Sequence, residues 1–379
     1  MPQSQDPQPN PGLPTSDLQR IRTVAQVIIA FAVVLFLLVQ ARFLLISLAT
    51  AIVLFSLTSD AISSIARVRV GPVRVPNWLA SVVALLMISM ALLSLSAIIL
   101  SQVNTVLSTT LAYTDRAPQA IAAMFAWLGP DAEQSVLDSV STLDVAGYLR
   151  ALAGQASNLM QGTVLVILFV GFLFAERIWF STKLENFFGD AGQARKVSQI
   201  VSSIIHRVNY YLLVKSAVSA VTGLMVYAVA RFFDLDLAGP LGILAFVLNY
   251  IPNVGSIVAT VLVALVAYVQ LADGTLALAI FILVGAIQFM NGNVIDPMLM
   301  GRALRLSSFG IIISLAFWGA VWGIPGMFLS VPIMVALMIV CSHVPGLRPV
   351  AILLSREGLP ESTTDLEART PRSKDDRAA

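Results

Sequence analysis

Charge is what this sequence has least of. Only 12% of its 379 residues are Asp, Glu, Lys or Arg, about half the share found in soluble domains. Hydrophobic residues make up 58% of the chain, and the mean hydropathy is +0.86. Charge-free runs long enough to cross a bilayer recur along the chain, so the sequence predicts an all-α polytopic membrane protein with about eight membrane segments.

Cysteine and histidine are also nearly missing. The single cysteine, Cys341, excludes an internal disulfide. The two histidines, His206 and His343, are not accompanied by a metal-ligand cluster in the sequence. The only candidate base for Cys341 is His343, two residues on, and both are interpreted as incidental residues at a span end. A net charge of +2 gives no reason to expect nucleic acid, and no Walker motif is present. We therefore expect no enzyme, cofactor, metal or nucleic-acid partner.

Arginine and lysine placement predicts the topology. Segments 60–78 and 176–211 carry a basic excess and belong in the cytoplasm, whereas 101–150 is acidic and faces outward. This pattern predicts a multi-pass protein of the cell inner (plasma) membrane with both termini cytoplasmic. Lys215 falls one turn inside a predicted crossing, where its side chain should reach the headgroups. The predicted crossings are 23–41, 43–59, 79–100, 151–175, 212–233 and 274–291, and all of them are uncharged except 212–233, which contains Lys215 and Arg231.

Composition also predicts the domain limits. Residues 1–22 and 346–379 are polar or charged and are interpreted as a disordered cytoplasmic tail and a second cytoplasmic tail. Residues 23–345 form the transmembrane domain, with an extracytoplasmic helical segment at 101–150. Segment 181–211 contains an amphipathic helix that lies on the membrane, on its own chain or against a neighbouring subunit.

Two uncharged runs are too long for one crossing helix each. The first, 237–272, would reach about 54 Å as a single helix, against a hydrocarbon core of about 30 Å. The second is broken within 306–342. Proline removes a backbone donor and glycine permits a reversal, so each run is expected to break at its Pro/Gly motif. The motifs are "NYIPNVG" with Asn249, Pro252, Asn253 and Gly255, and "WGIPG" with Gly323, Pro325 and Gly326.

The breaks allow two topologies. Either both runs cross the membrane completely, or both are re-entrant hairpins that enter from opposite sides. Non-helical backbone at membrane depth survives only inside protein or against a wet cavity, and half-helix ends bind substrates and ions in transporters. A simple kink in an ordinary crossing helix is the alternative for each motif.

A polar cluster, "QFMNGNVIDPMLMGR", ends the crossing between the two runs. An ionisable group at membrane depth is a functional candidate, and Asp296 could take a proton or cation or pair with Arg302. The alternative is a helix-ending loop in which Asp296 and Pro297 form a turn. The candidate residues of the cluster are Gln288, Asn291, Asn293, Asp296 and Arg302.

The stretches "NVIDPMLMGR" (293–302) and "FWGAVWGIPGM" (317–327), together with "NYIPNVG", resemble the autoinducer-2 exporter family of prokaryotic inner-membrane proteins. The resemblance covers about 210–345 strongly and the earlier spans in layout. It implies eight or so membrane segments, a homo-oligomer and export of small signalling molecules. Some members are instead assigned sodium/proton antiport. On this resemblance, the motif positions above, with Gly301, are site candidates.

The leading interpretation is a secondary exporter of a small polar metabolite, such as autoinducer-2, that works by alternating access. Both broken runs and the 288–302 cluster would form its moving site, and an uncharged hydroxylated solute would suit a site with few fixed charges. A sodium/proton antiporter using Asp296 is the alternative, and a passive channel is the third. The expected partners are a small polar solute, protons or sodium, the lipid bilayer and further copies of the chain.

Overall fold

Helices account for nearly all of the described residues, because an apolar segment in a bilayer must satisfy its backbone hydrogen bonds internally. The computed structural model describes residues 15–65, 77–113, 117–123, 125–126, 129–141, 145–300, 305–356 and 358. Contacts divide the chain into two units, residues 1–45 and 46–379.

The described residues form fifteen α-helices. A π-helix (Asn291–Ile295) joins the helices Gly274–Met290 and Asp296–Met300. The helices are α1 (Thr15–Gln40), α2 (Arg42–Ile65), α3 (Asn77–Tyr113), α4 (Ala117–Ala123), α5 (Pro130–Ser141), α6 (Val145–Glu176), α7 (Phe180–Phe188), α8 (Ala191–Phe232), α9 (Ala238–Leu248), α10 (Val254–Leu271), α11 (Gly274–Met290), α12 (Asp296–Met300), α13 (Ser308–Trp322), α14 (Ile324–His343) and α15 (Arg348–Leu354).

Seven described helices are long and apolar enough to cross a membrane, which confirms the predicted all-α polytopic class. The predicted crossing 43–59 lies in α2, whose apolar part, Arg42–Thr58, is one of the shorter apolar helices. Each broken run contributes only one long arm. The seven candidates are Gln19–Gln40, Ser81–Thr109, Asn158–Phe188, Ala191–Phe232, Val254–Leu271, Gly274–Met300 and Ile324–His343.

Two predicted boundaries differ from the structure. α1 begins at Thr15, so residues 15–22 are helical rather than part of a disordered tail. α8 runs without interruption from the amphipathic stretch into the predicted crossing. The chain has neither Gly nor Pro between Gln193 and Thr222, and extending a formed helix costs little compared with starting one. The amphipathic region and the crossing are therefore one helix.

Three of the earlier helices, α2, α3 and α6, share a buried cluster. Ala51 of α2, Ala84 of α3 and Val170 of α6 belong to one buried cluster. Ser96 of α3 and Thr163 of α6 are buried and lie 2.9 Å apart through their hydroxyl oxygens. Small residues and interhelical hydroxyl bonds of this kind hold membrane helices together.

The first broken run is a helical hairpin. The Gln270 side chain, at the end of α10, accepts from the Asp236 N–H at 2.9 Å and donates to the Asp234 carbonyl at 3.0 Å. The chain entering α9 is therefore adjacent to the chain leaving α10. With 11 residues, α9 reaches about 16 Å, which is too short to cross a core of about 30 Å.

The second broken run is also a hairpin, formed by α13 and α14. The chain reverses at Gly323, whose φ of 67° is in the left-handed region that favours glycine. The Ser314 hydroxyl donates to the Ser330 carbonyl at 2.8 Å and ties the two arms together. The run therefore begins and ends on the same side of the fold.

The segment after the second hairpin is packed, although the sequence predicts a tail from residue 346. Ala351 and Leu354 of α15 are buried in the cluster that contains Val335 and Met338 of α14. The apolar run "VAILL" in α15 supplies that buried face. The structure thus extends the folded region to Arg356.

The two hairpins point in opposite directions along α8. The base of the second packs beside Tyr211, in the cluster with Leu306, whereas the base of the first packs beside Ala230. The helical rise between Tyr211 and Ala230 is about 28 Å. The tips meet between these levels, where the ring of Tyr250 stacks on Phe328 with centroids 5.2 Å apart.

Candidate substrate site

A cavity of about 380 Å³ lies beside the tip of the first hairpin. Its wall is made by α8, the non-helical residues 249–253 between α9 and α10 (the first break), the segment formed by α11, the π-helix and α12, the start of α13, and the chain after α15. Five of the residues predicted from sequence line it: Asn249, Pro252, Asn253, Gln288 and Asp296.

A buried amide network fixes one wall of this cavity. The Asn291 amide donates to the Asn249 side-chain oxygen at 3.0 Å and to the Thr222 hydroxyl at 2.8 Å. The Asn249 amide donates in turn to the Ser219 hydroxyl at 2.9 Å. Three elements, α8, the first break and the π-helix, are therefore tied at one level.

Lys215 faces the cavity rather than the headgroups. Its side chain is only 4% exposed, and its Nζ donates to Asp296 Oδ2 at 2.6 Å. The expectation that Lys215 reaches the membrane surface is therefore wrong. An ammonium at this depth is stable only with a partner, and Asp296 supplies it. Gly301 and Arg302, the latter predicted as the partner of Asp296, lie outside the described residues.

The polar cluster is helical up to residue 300. For this part of the cluster, the alternative interpretation as a helix-ending loop is wrong. A π-helix over 291–295 leads directly into α12, and Asp296 and Pro297 occupy the first turn of that helix. Pro297 lacks the N–H that would bond back to the preceding turn, and helices depart from regular α geometry at prolines and at π segments. Short π segments within helices occur often at functional sites, and this one turns Asn291 inward.

Several polar atoms at the cavity have no hydrogen-bond partner among the residues that the structure describes. They are the Tyr211 hydroxyl, both polar atoms of the Gln288 amide and Asp296 Oδ1. Tyr211 and Gln288 are 3% and 5% exposed. An unpaired buried polar group costs roughly 1–3 kcal/mol, so these atoms are arranged for a bound molecule or water.

The other predicted residues lie away from this cavity. Gly255 and Gly326 are tight packing positions, since a Cβ would overlap the carbonyls of Leu248 and Trp318 respectively. Asn293 is exposed, donates to the Phe289 carbonyl at 3.1 Å and borders a second cavity of about 350 Å³. Gly323 and Pro325 are exposed at the second tip.

Sequence reasoning missed the polar face of α8. Lys215, Ser219 and Thr222 are spaced by four and three residues, so they lie on one helical face, and this spacing was a usable signal. Tyr211, Arg305 and Arg356 also line the cavity. Tyr211 continues the same face of α8, four residues before Lys215. No local pattern marks Arg305 and Arg356, because the approach of the last helices brings them to the cavity. The expectation of few fixed charges is wrong for this cavity.

Comparison with known proteins gives a consistent result. The model of the AI-2E family transporter matches residues 27–346. The AI-2 transport protein TqsA of Escherichia coli (strain K12) is 32% identical over 295 residues, which cover 74% of this chain and 82% of TqsA. A putative transport protein of Haemophilus influenzae is 27% identical over 292 residues, covering 74% and 82%. These proteins are named for transport, as expected for a chain that is not an enzyme.

Proposed function

This chain belongs to the AI-2E transporter family, and from that premise we propose that it exports a small polar metabolite across the inner membrane by alternating access. The chain is a multi-pass membrane transporter. The proposal concerns its direction, its mechanism and its cargo.

The observation that carries the proposal is the cavity at the tip of the first hairpin. A broken helix exposes backbone groups at membrane depth, and here they adjoin the unpaired polar atoms of Tyr211, Gln288 and Asp296. A closed pore or a purely structural bundle has no use for unsatisfied polar atoms. A site that alternately holds and releases a polar solute does.

Charge distribution supports an inward-facing orientation of this conformation. Arg305, Arg348 and Arg356 cluster at the base of the second hairpin, which the positive-inside rule assigns to the cytoplasm. Asp234 and Asp273 are at the base of the first hairpin, on the other side. The cavity is bordered by Arg305 and Arg356 and so communicates with the cytoplasmic end. Together with the charges of the earlier loops in the sequence, the proposal keeps both termini in the cytoplasm.

Transport follows from a movement of the first hairpin. Its tip carries Asn253 and Ser256, which line the cavity, and in the proposed orientation this tip is the gate toward the extracytoplasmic side. A displacement of α9 and α10, with the π-helix linked through Asn249 and Asn291, would open the cavity outward and close it inward. Opposed hairpins provide two such gates. A gradient of protons or sodium supplies the energy, and we expect a homo-oligomer as the working unit.

A proteoliposome assay tests export directly. Autoinducer-2 is the first solute to test, because TqsA is named for its transport, followed by other small polar solutes. We expect saturable counterflow that an imposed proton or sodium gradient accelerates, and that Gln288→Leu reduces at least tenfold. Flux that neither saturates nor responds to a gradient would indicate a passive channel instead.

Sodium/proton antiport is the second candidate, favoured by the Lys215–Asp296 ion pair. Asp296 keeps one oxygen without a hydrogen-bond partner and could exchange its ammonium partner for a cation. In this case Asp296→Asn abolishes sodium-dependent proton flux. The wild-type protein separates the two candidates. Solute counterflow without sodium-dependent proton flux would support export and exclude antiport.

A further inference from the structure

Three cavities follow one another along the groove between α10 and α11. The first is the cavity beside the tip of the first hairpin. The second, of about 350 Å³, shares lining residues with the first and with a third cavity of about 680 Å³. The shared residues are Asn253, Ser256, Gln288 and Gly292 at the first junction, and Val261 and Phe281 at the second. The three cavities are therefore sections of one groove.

The lining residues of α10 lie on one face of that helix. They recur every three or four residues from the N-cap to the last turn, which is the spacing of a single helical face. Between Ser256 and Tyr268 this face rises about 18 Å. The lining positions include Asn253, Ser256, Thr260, Ala264 and Tyr268. One face of α10 thus follows the groove along most of the helix.

α11 forms the opposite wall, and glycines keep the two helices apart from each other's side chains. A Cβ on Gly285 would lie 3.6 Å from Thr260 Cγ2, and a Cβ on Gly274 would lie 3.6 Å from Tyr268 Cε2. Both glycines line the groove. The missing side chains leave room between α10 and α11 for a small molecule.

The groove leads from the first cavity toward the extracytoplasmic side. Gly274, at the base of the first hairpin, lines the third cavity, and so does Ala123 of α4. α4 belongs to segment 101–150, whose acidic excess predicts an extracytoplasmic location. The third cavity is therefore at the outer end of the groove, whereas the first cavity borders the cytoplasmic end.

Polarity falls along the groove. The second cavity is lined by Asn253, Ser256, Thr260 and Gln288 among its residues, whereas the third is lined mainly by apolar residues, with Tyr268 as the exception. Polar groups without polar contacts are unfavourable in an apolar medium, so the lining of the second cavity favours water or a polar solute over acyl chains. A polar solute would be held in the second cavity and would pass the third without being retained.

Gln288 lies at the junction of the first and second cavities. It lines both of them and is only 5% exposed. Its two amide atoms are buried and have no hydrogen-bond partner among the described residues. An enclosed side chain at this position obstructs the junction, and its amide offers a donor and an acceptor to a hydroxylated solute that passes it.

We infer that the second cavity is an exit site for the exported solute, and that the Gln288 side chain is the internal gate between this site and the first cavity. The solute, a small hydroxylated molecule, passes Gln288 and then moves between α10 and α11 to the extracytoplasmic side. The inference rests on the proposed function, because it gives the route of the export step. A groove filled by lipid or by another copy of the chain is the competing arrangement.

Cysteine accessibility tests this route in the full-length protein, because the only cysteine, Cys341, is buried and Cys341→Ala removes it. The reagent is a membrane-impermeant cationic methanethiosulfonate, added at the extracytoplasmic side of oriented proteoliposomes. Thiolates react and need water to form, so we expect Thr260→Cys to react about tenfold or more faster than Val258→Cys. Val258 is the matched control, since it is 38% exposed against 7% for Thr260 but lines none of the three cavities.

A reporter in the first cavity tests the gate. Ser308, at the start of α13, lines that cavity, and Ser308→Cys should react slowly from the extracytoplasmic side. We expect Gln288→Ala to raise this rate about tenfold or more, since reaction follows access to the thiolate. Gln288→Leu keeps a bulky side chain at the junction and should leave the rate unchanged. A merely structural role of Gln288 would give both variants the same rate.

Equal rates for Thr260→Cys and Val258→Cys overturn the inference and indicate that lipid or another copy fills the groove. A Ser308→Cys rate that Gln288→Ala does not raise also overturns it. Should Thr260→Cys fail to fold, Ser256→Cys on the same face replaces it. Saturable, gradient-driven counterflow with equal rates overturns the inference alone. Faster reaction of Thr260→Cys and control of Ser308→Cys by Gln288, without counterflow of any solute, overturn the proposed function alone.

Discussion

The two hairpins break at similar motifs but differ in what surrounds the break. "NYIPNVG" puts two asparagines beside its proline, and "WGIPG" puts glycine and tryptophan there. At the first tip, Asn249 is 6% exposed and bonded to Ser219 and Asn291 beside a polar cavity. At the second, the rings of Trp318 and Trp322 lie 4.4 Å apart. A Pro/Gly motif thus marks a break, and its polar neighbours decide whether the break becomes a site.

The largest expected effect is at the ion pair beside the first tip. Lys215→Met leaves Asp296, whose side chain is 20% exposed, without its partner, which should destabilise the protein by up to about 3–5 kcal/mol and abolish transport. The thermal unfolding midpoint in nanodiscs and solute counterflow measure the two effects. Adding Asp296→Asn should restore much of the stability but not transport.

Lys183→Met is the control for this prediction. Lys183 pairs with Glu176, but the two side chains are 61% and 55% exposed, so the change should cost at most about 1 kcal/mol. Equal unfolding midpoints for Lys215→Met and the wild type would show that the buried pair does not stabilise the fold.

Alanine at the tight glycines should affect both hairpins alike. Gly255→Ala and Gly326→Ala each force a Cβ against a backbone carbonyl, so we expect a loss of about 1–3 kcal/mol from overpacking. The comparison lies in the kinetics: Gly326→Ala should leave KM unchanged, whereas Gly255→Ala should raise it.

Gly171→Ala is the matched control for both, because its Cβ would meet only Leu85 Cδ2, at an ordinary 3.6 Å. An unchanged KM for Gly255→Ala would argue that the shape of the first tip does not determine the site.

A smaller effect separates the hairpins by function. Asn249→Ala and Ser314→Ala each remove a buried hydrogen-bonding side chain, and each should cost about 1–2 kcal/mol. Only Asn249→Ala should lower transport, because only Asn249 belongs to the cavity wall. Equal losses of transport after correction for the amount of folded protein would contradict the distinction between the two tips.

The smallest effects are expected where the sequence pointed to site residues away from the cavity. Asn293 and Pro325 are exposed, so Asn293→Ala and Pro325→Ala should change stability by no more than about 0.5 kcal/mol. Counterflow with either variant should match that of the wild type. Loss of transport in Asn293→Ala would move the site toward the second cavity, which Asn293 borders.

Local sequence predicted the breaks well and the site in part. Proline and glycine act on the backbone where they stand, so both breaks were predictable from composition. Asn249, Gln288 and Asp296 were recognisable because a polar residue in an apolar span costs free energy and therefore indicates a functional site. The spacing of Lys215 with Ser219 and Thr222 could have placed it on a polar helical face, but its ion pair was not recognisable. Its partner is 81 residues away in the chain.

The sequence by itself determined that this chain spans a membrane, where its helices break and which polar residues must be shielded from lipid. Those outcomes depend on hydrophobicity and on local backbone chemistry. Only the tertiary structure decided that the broken runs fold back as opposed hairpins, that Lys215 meets Asp296, and that Arg305 and Arg356 border one cavity. Such contacts join residues far apart in the chain, and their energies depend on distances that no local pattern contains.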